Sequence, residues 1–150
     1  MKTAIAWVTL IVLAGILLSA SVCAPYFLSD RGNSFFKDFV NAELLSFLGV
    51  IVTITLASAA NMHLELNKLE ERTEGSFPEA RTAVRRSSAA LIVLFAVAFI
   101  LVMIKPTLAD NDHWSAALNS IVILIVVFNL AILADLTMAV FRIPPIRTPQ

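Results

Sequence analysis

The sequence has one cysteine, Cys23, so no disulfide can close within the chain and thiol usage gives no reading of compartment. It has no net charge, because 11 Lys and Arg balance 11 Asp and Glu. A chain with no field of one sign carries no electrostatic footprint for nucleic acid. Four catalytic signatures are also missing: a Walker glycine loop, paired cysteines at metal spacing, a nucleophile elbow and an HExxH helix. No enzyme activity, metal or cofactor is therefore expected. The two histidines, His63 and His113, fall on opposite sides of the topology derived below and cannot share an ion within one subunit.

What the chain has in excess is apolar residues, 59% of its 150 positions against about 45–50% in soluble domains. They are concentrated in four runs, which predict spans at about 4–28, 42–61, 87–105 and 114–141. A bilayer core of about 30 Å needs about 20 mainly apolar residues per helix. A soluble bundle would need charged outward faces, and these runs have almost none. The expectation is an all-α chain, one integral membrane four-helix bundle of a single domain. Met1 and Lys2 followed by an apolar stretch resemble a signal peptide, but the run is long for one, and it reads as a retained helix.

The first span carries Trp7 and Tyr26 near its ends, as an aromatic belt requires. Gly15, Ser19 and Cys23 recur every four residues and make one face narrow enough for close helix packing. Pro25 is expected to bend its last turn. A polar loop with a turn signal at Asp30–Asn33 precedes Phe35, Phe36 and Phe39, which read equally as an interfacial helix or as a plug over the bundle mouth. On the second span Ser46, Gly49, Thr53 and Ala57 form a narrow stripe, expected to be the most tightly packed face of the bundle.

Helical patterning continues past the second span. Met62, Leu66 and Leu69 extend an apolar stripe among Glu65, Lys68, Glu70, Glu71, Arg72 and Glu74. Gly75 is expected to end that helix and Ser76 to cap the next, with Arg81, Arg85 and Arg86 leading into the third span. The second and third helices thus form a hairpin projecting over residues 62–86. The third span is uniformly apolar and expected to face lipid widely. Lys105 should snorkel at its end and Pro106 should stop it. Asp110, Asn111 and Asp112 cap the fourth span.

Orientation follows from basic residues. Lys2, Lys68, Arg72, Arg81, Arg85, Arg86, Arg142 and Arg147 lie on one side, and only Arg31, Lys37 and Lys105 on the other. The positive-inside rule then puts both termini and the hairpin in the cytosol of a bacterial inner membrane.

Two polar residues inside the apolar runs are candidates for function. Asn129 lies in the inner half of the fourth span and is expected to bond across helices. Asp135 lies near its cytosolic edge and is expected to pair with Arg85 or Arg86 in a layer with Asn61, His63 and Trp7. The residues Leu44 to Gly49, running into an Ile/Ala-rich span and a charged arm, resemble the second helix of small four-helix bacterial membrane proteins of phage defence, of the Rex exclusion and Kiwa type. That resemblance implies an inner-membrane protein that senses infection or disturbs membrane potential, with a cytosolic partner. Three functions are consistent with the residues: an oligomeric channel-like or membrane-disturbing protein, a non-catalytic anchor whose hairpin docks a cytosolic protein, and, last, a small transporter. The bilayer and further copies of the chain are the expected partners.

Overall fold

The computed structural model describes residues 2–73, 78–108 and 110–140, with side chains described for 7–71, 78–108 and 110–138. All its elements are helical: α1 (Lys2–Cys23), a 3-10 turn (Pro25–Phe27), α2 (Ser34–Phe39), α3 (Ala42–Thr73), α4 (Pro78–Leu108) and α5 (Asp112–Val140). Glu74, Gly75, Ser76, Arg142 and Arg147 lie outside the described residues, as do the side chains of Lys2 and Arg72.

Local chemistry sets the boundaries. A residue before proline is pushed out of the α region. Ala24, with φ −144° and ψ 60°, leaves the helix there, so Pro25 ends α1 instead of bending it. Asparagines open three helices by accepting an orphan amide. Asn33 Oδ1 accepts from Phe35 N at 3.1 Å, Asn41 Oδ1 from Glu43 N at 2.7 Å, and Asn111 Oδ1 from His113 N at 2.9 Å. Pro106 does not stop α4. It lies inside the last turn, and the helix runs on to Leu108 with the Thr107 hydroxyl donating to Ile104 O at 2.7 Å.

Helix α5 is the hub, packing on α1, α3, α4 and the 3-10 turn. Helix α1 packs on α5 and the turn, while α3 and α4 form the hairpin and both meet α5. On α4 the buried residues are Val84, Leu91, Ala98 and Lys105, one every seven. A seven-residue period is the seam of two helices wound gently left-handed around each other. Leu94, Phe95, Leu101 and Val102 flank that seam and pack partly on the core, while Ile92, Val93, Val97, Phe99, Ile100, Met103 and Ile104 face outward.

The core has two clusters. One, at the end carrying the 24–41 loop, joins Phe36, Val40, Leu44, Leu48, Ala98, Val122 and Ile125. The other, toward the hairpin, joins Ala59, Val84 and Leu136, with Met62 and Ile132 packed on it. The Met62–Leu66 stripe therefore folds back on the chain's own second arm. Fully buried Thr55, Leu91 and Asn129 lie between the clusters along their helices.

Three helices are long and apolar enough to cross a membrane, Ala42–Glu71, Pro78–Leu108 and Asp112–Met138, with mean hydropathies of 1.9, 2.8 and 2.6 over an 18-residue stretch of each. The described apolar part of α1, Trp7–Cys23, is shorter. This composition points to a membrane protein. At about 1.5 Å per residue, the 32 residues of α3 reach about 48 Å, well past a bilayer core.

Candidate functional site at the two ends of the bundle

The loop end is closed by a buried ionic network. Lys105 Nζ lies 3.0 Å from Asp30 Oδ1 and donates to Phe36 O at 2.8 Å. Their side chains are 7% and 17% exposed. Asn119 of α5 donates from Nδ2 to the same Asp30 Oδ1 at 2.9 Å and to Leu28 O at 2.7 Å. Asp30 N donates to Ser115 Oγ at 3.1 Å. One carboxylate thus ties the loop to α4 and α5 together. A buried charge is tolerated only when paired and hydrogen-bonded, and here each partner has at least two polar contacts. Lys105 does not snorkel, because a carboxylate and a carbonyl are within reach inside the bundle.

Two further features complete this end. Phe36 is buried and Phe39 packs on the core, whereas Phe35 is exposed, so α2 is both plug and surface helix. The Ser21 and Ser120 hydroxyls bond at 2.7 Å and join α1 to α5. Each hydroxyl has one proton, so one donates to the other and the other donates to its own helix, Ser120 to Ala116 O at 2.9 Å or Ser21 to Leu17 O at 2.9 Å.

The hairpin end is open, with a groove on either side of α4. One, of about 820 Å³, is lined by Trp7, the α4 face from Pro78 to Ala90 that includes Glu79 and Arg86, and Phe128, Ile132 and Asp135 of α5. The other, of about 550 Å³, includes His63, Arg81 and Arg85. The expected polar layer is therefore split. Asp135 and Arg86 share the larger groove with Trp7, whose ring lies 6.0 Å from that of Phe128. Arg85 and His63 face the smaller one, and Asn61 is exposed outside both. Among the described residues no salt bridge joins Asp135 to either arginine. The reason is geometric, since consecutive residues on a helix point about 100° apart.

Farther along the hairpin, Arg81 pairs with Glu70 at 2.7 Å and also with Asn67, which pins the two arms together. Glu65 and Lys68 pair at 2.6 Å on the exposed side, and Glu71 is exposed.

The narrow stripes turn outward, which corrects their assignment to the bundle's tightest face. The α3 residues facing the core are Leu44, Leu48, Ile51, Thr55, Ala59 and Leu66. Ser46, Thr53 and Ala57 are exposed and Gly49 is half-buried, where an added Cβ would meet only Phe95 Cε2 at 3.9 Å. The Ser46 and Thr53 hydroxyls donate to their own helix, to Ala42 O at 3.0 Å and Gly49 O at 2.7 Å. Gly15, Ser19 and Cys23 are likewise exposed, and a Cβ on Gly15 would meet nothing within 4 Å. The inward positions of α3 are mostly leucine and isoleucine, and α1 docks through Leu17 and Ser21, on the side opposite its small residues.

Asn129 is fully buried, but its amide donates to Ile125 O of its own helix at 2.8 Å. It does not bond across helices as expected, because its amide is taken up by the carbonyl four residues back on its own helix. Its Oδ1, like that of Asn119, has no hydrogen-bond partner among the described residues.

Sequence reasoning missed Asp30, Asn119, Ser115, Ser21 and Ser120, and misread Lys105. A signal was present: Ser115, Asn119 and Ser120 put polar groups on adjoining turns at the start of a span. Among the described residues no group of three His, Cys, Asp or Glu is placed to hold a metal ion. Comparison with protein-family models, characterised proteins and solved structures finds no match to this chain.

Proposed function

We propose that the chain is a four-span protein of a bacterial inner membrane, with both termini and the hairpin in the cytosol, that works as a homo-oligomer in a channel-like or membrane-sensing role without catalysing a reaction. The observation that carries this reading is the filled axis of the single chain. Leu48, Thr55, Leu91, Ala98, Val122 and Asn129 occupy it from one cluster to the other. A conduit must then lie between copies. The outward stripe of Ser46, Gly49, Thr53 and Ala57 supports such an assembly, since close backbone approach drives helix association where lipid removes the hydrophobic force. The resemblance of residues 44–49 to phage-defence membrane proteins supplies a biological setting for it.

Native mass spectrometry of the detergent-solubilised protein, with ion flux in proteoliposomes, tests the reading. The expected result is one closed oligomer that conducts, and that Thr53→Leu with Ala57→Leu reduces to monomers without flux. A monomeric, impermeable wild type overturns it. In cells, expression should lower phage plaquing, and the same double variant should restore it.

A second reading is favoured by the stiffened hairpin. Leu66 packs inside it and Arg81 holds Glu70, while Glu65, Lys68 and Glu71 face out as a mixed-charge rim. Such a rim suits a cytosolic protein partner. Reversing Lys68 and Glu71 together should abolish recovery of that partner while leaving membrane insertion intact; unchanged recovery excludes the hairpin as its dock.

A further inference from the structure

The larger groove at the hairpin end has a graded lining. Glu79, Arg86 and Asp135 are charged and exposed, while Ala90, Phe128 and Trp7 make the rest apolar. At about 820 Å³ it falls in the upper part of the range of about 300–1,000 Å³ typical of small-molecule pockets. Ala83, Ser87 and Ala90 are the small residues that α4 presents to it.

Two carboxylates and one guanidinium line it, and Arg86 and Asp135 form no salt bridge with any described residue. The complementary ligand therefore carries both signs. A phosphate group suits the arginine fork, an ammonium suits the carboxylates, and an apolar tail suits the aromatic end. A purely anionic headgroup would face two uncompensated carboxylates, and a choline headgroup has no N–H to donate to them.

We propose that this groove binds an aminophospholipid of the phosphoethanolamine type, with its phosphate on Arg86, its ammonium toward Asp135 and Glu79, and its acyl chains along Phe128, Ala90 and Trp7. The proposal rests on the membrane reading above. In that orientation the groove lies where the second and third spans leave the bilayer, at headgroup level, with Trp7 marking the interface.

The test is lipid retention by native mass spectrometry. The full-length protein is purified from detergent and incubated with phosphatidylethanolamine, phosphatidylglycerol or phosphatidylcholine of matched chains, or with free O-phosphoethanolamine. One phosphatidylethanolamine per chain should be retained over the other two lipids. Asp135→Asn and Arg86→Gln should each weaken retention at least about tenfold. Arg85→Gln, facing the opposite groove, should leave it unchanged. Circular dichroism checks that each variant keeps the wild-type helix content; where a single variant loses it, Glu79→Gln replaces it. Equal retention of all three lipids, or of phosphatidylethanolamine by Asp135→Asn, overturns the proposal. So does competition by free phosphoethanolamine at the same concentration as the lipid, which would make the soluble headgroup the ligand. Alkaline carbonate washing of cell membranes separates the two levels. A chain that washes off refutes the membrane reading itself, while one that stays but shows no lipid preference refutes only the site.

Discussion

Lys105 sits at the end of an apolar stretch with a mean hydropathy of 2.8, and its surroundings turn a costly charge into a fastening. Its ammonium holds Asp30 and the Phe36 carbonyl, and Asp30 in turn holds Asn119. Removing one member of a buried pair leaves the other charge uncompensated, at a cost of about 3–5 kcal/mol. Lys105→Met or Asp30→Asn should therefore lower the detergent melting temperature sharply. The double variant should recover most of the loss, because a neutral pair of similar volume strands no charge. Equal melting of the single variants and wild type would refute the fastening. Asn129 is expected to behave in the opposite way. Its only bond is to its own helix and its Oδ1 is unpartnered. Asn129→Leu should leave stability unchanged or raise it by about 1 kcal/mol, as replacing an unsatisfied buried polar group does. Asp135→Asn, at an exposed and unpaired carboxylate, should stay within about 0.5 kcal/mol of wild type in the same melt.

At the scale of elements, the heptad seam of α4 makes a sharp distinction between neighbours. Ala98 is fully buried in it and Val97 faces out. Ala98→Leu should cost about 1–3 kcal/mol through overpacking, whereas Val97→Leu should be silent. The turn before α2 is as demanding. A Cβ on Gly32 would lie 1.8 Å from the Tyr26 carbonyl oxygen, a backbone atom that cannot rotate away. Gly32→Ala should displace the loop that carries Asp30, and hydrogen exchange at residues 29–33 should rise with it. Much at this scale was legible in the residues. Asn41 and Asn111 announced helix starts, and the Met62–Leu66 stripe announced a hairpin that continues past the spans. The inward face of α3 was not legible. When every face of a helix is apolar, hydropathy no longer says which side is core, and small residues suit an outer contact as well as an inner one. The Asp30–Lys105 pair was hidden for another reason. Its members are 75 positions apart by their numbers, and no local pattern links a loop carboxylate to a lysine at a helix end.

The whole molecule is closed at the loop end and open at the hairpin end, and that asymmetry separates its two kinds of candidate site. At the closed end Asp30 and Lys105 are consumed by the fold, whereas Arg86 and Asp135 at the open end are available to a ligand or to a second protein. The all-helical class and three helices long and apolar enough to cross a membrane followed from composition. The role of α5 as hub did not, because adjacency in space is not ordered as adjacency in sequence. Helix α1 has the plainest consequence. It leaves the ribosome before α5, and Ser21 has its partner in Ser120, 99 residues later. Closing so long a loop is an entropic expense met only once the rest of the bundle exists. Until α5 is made, α1 lacks the helix it docks on, and until α1 docks, α5 carries a bare serine-lined strip.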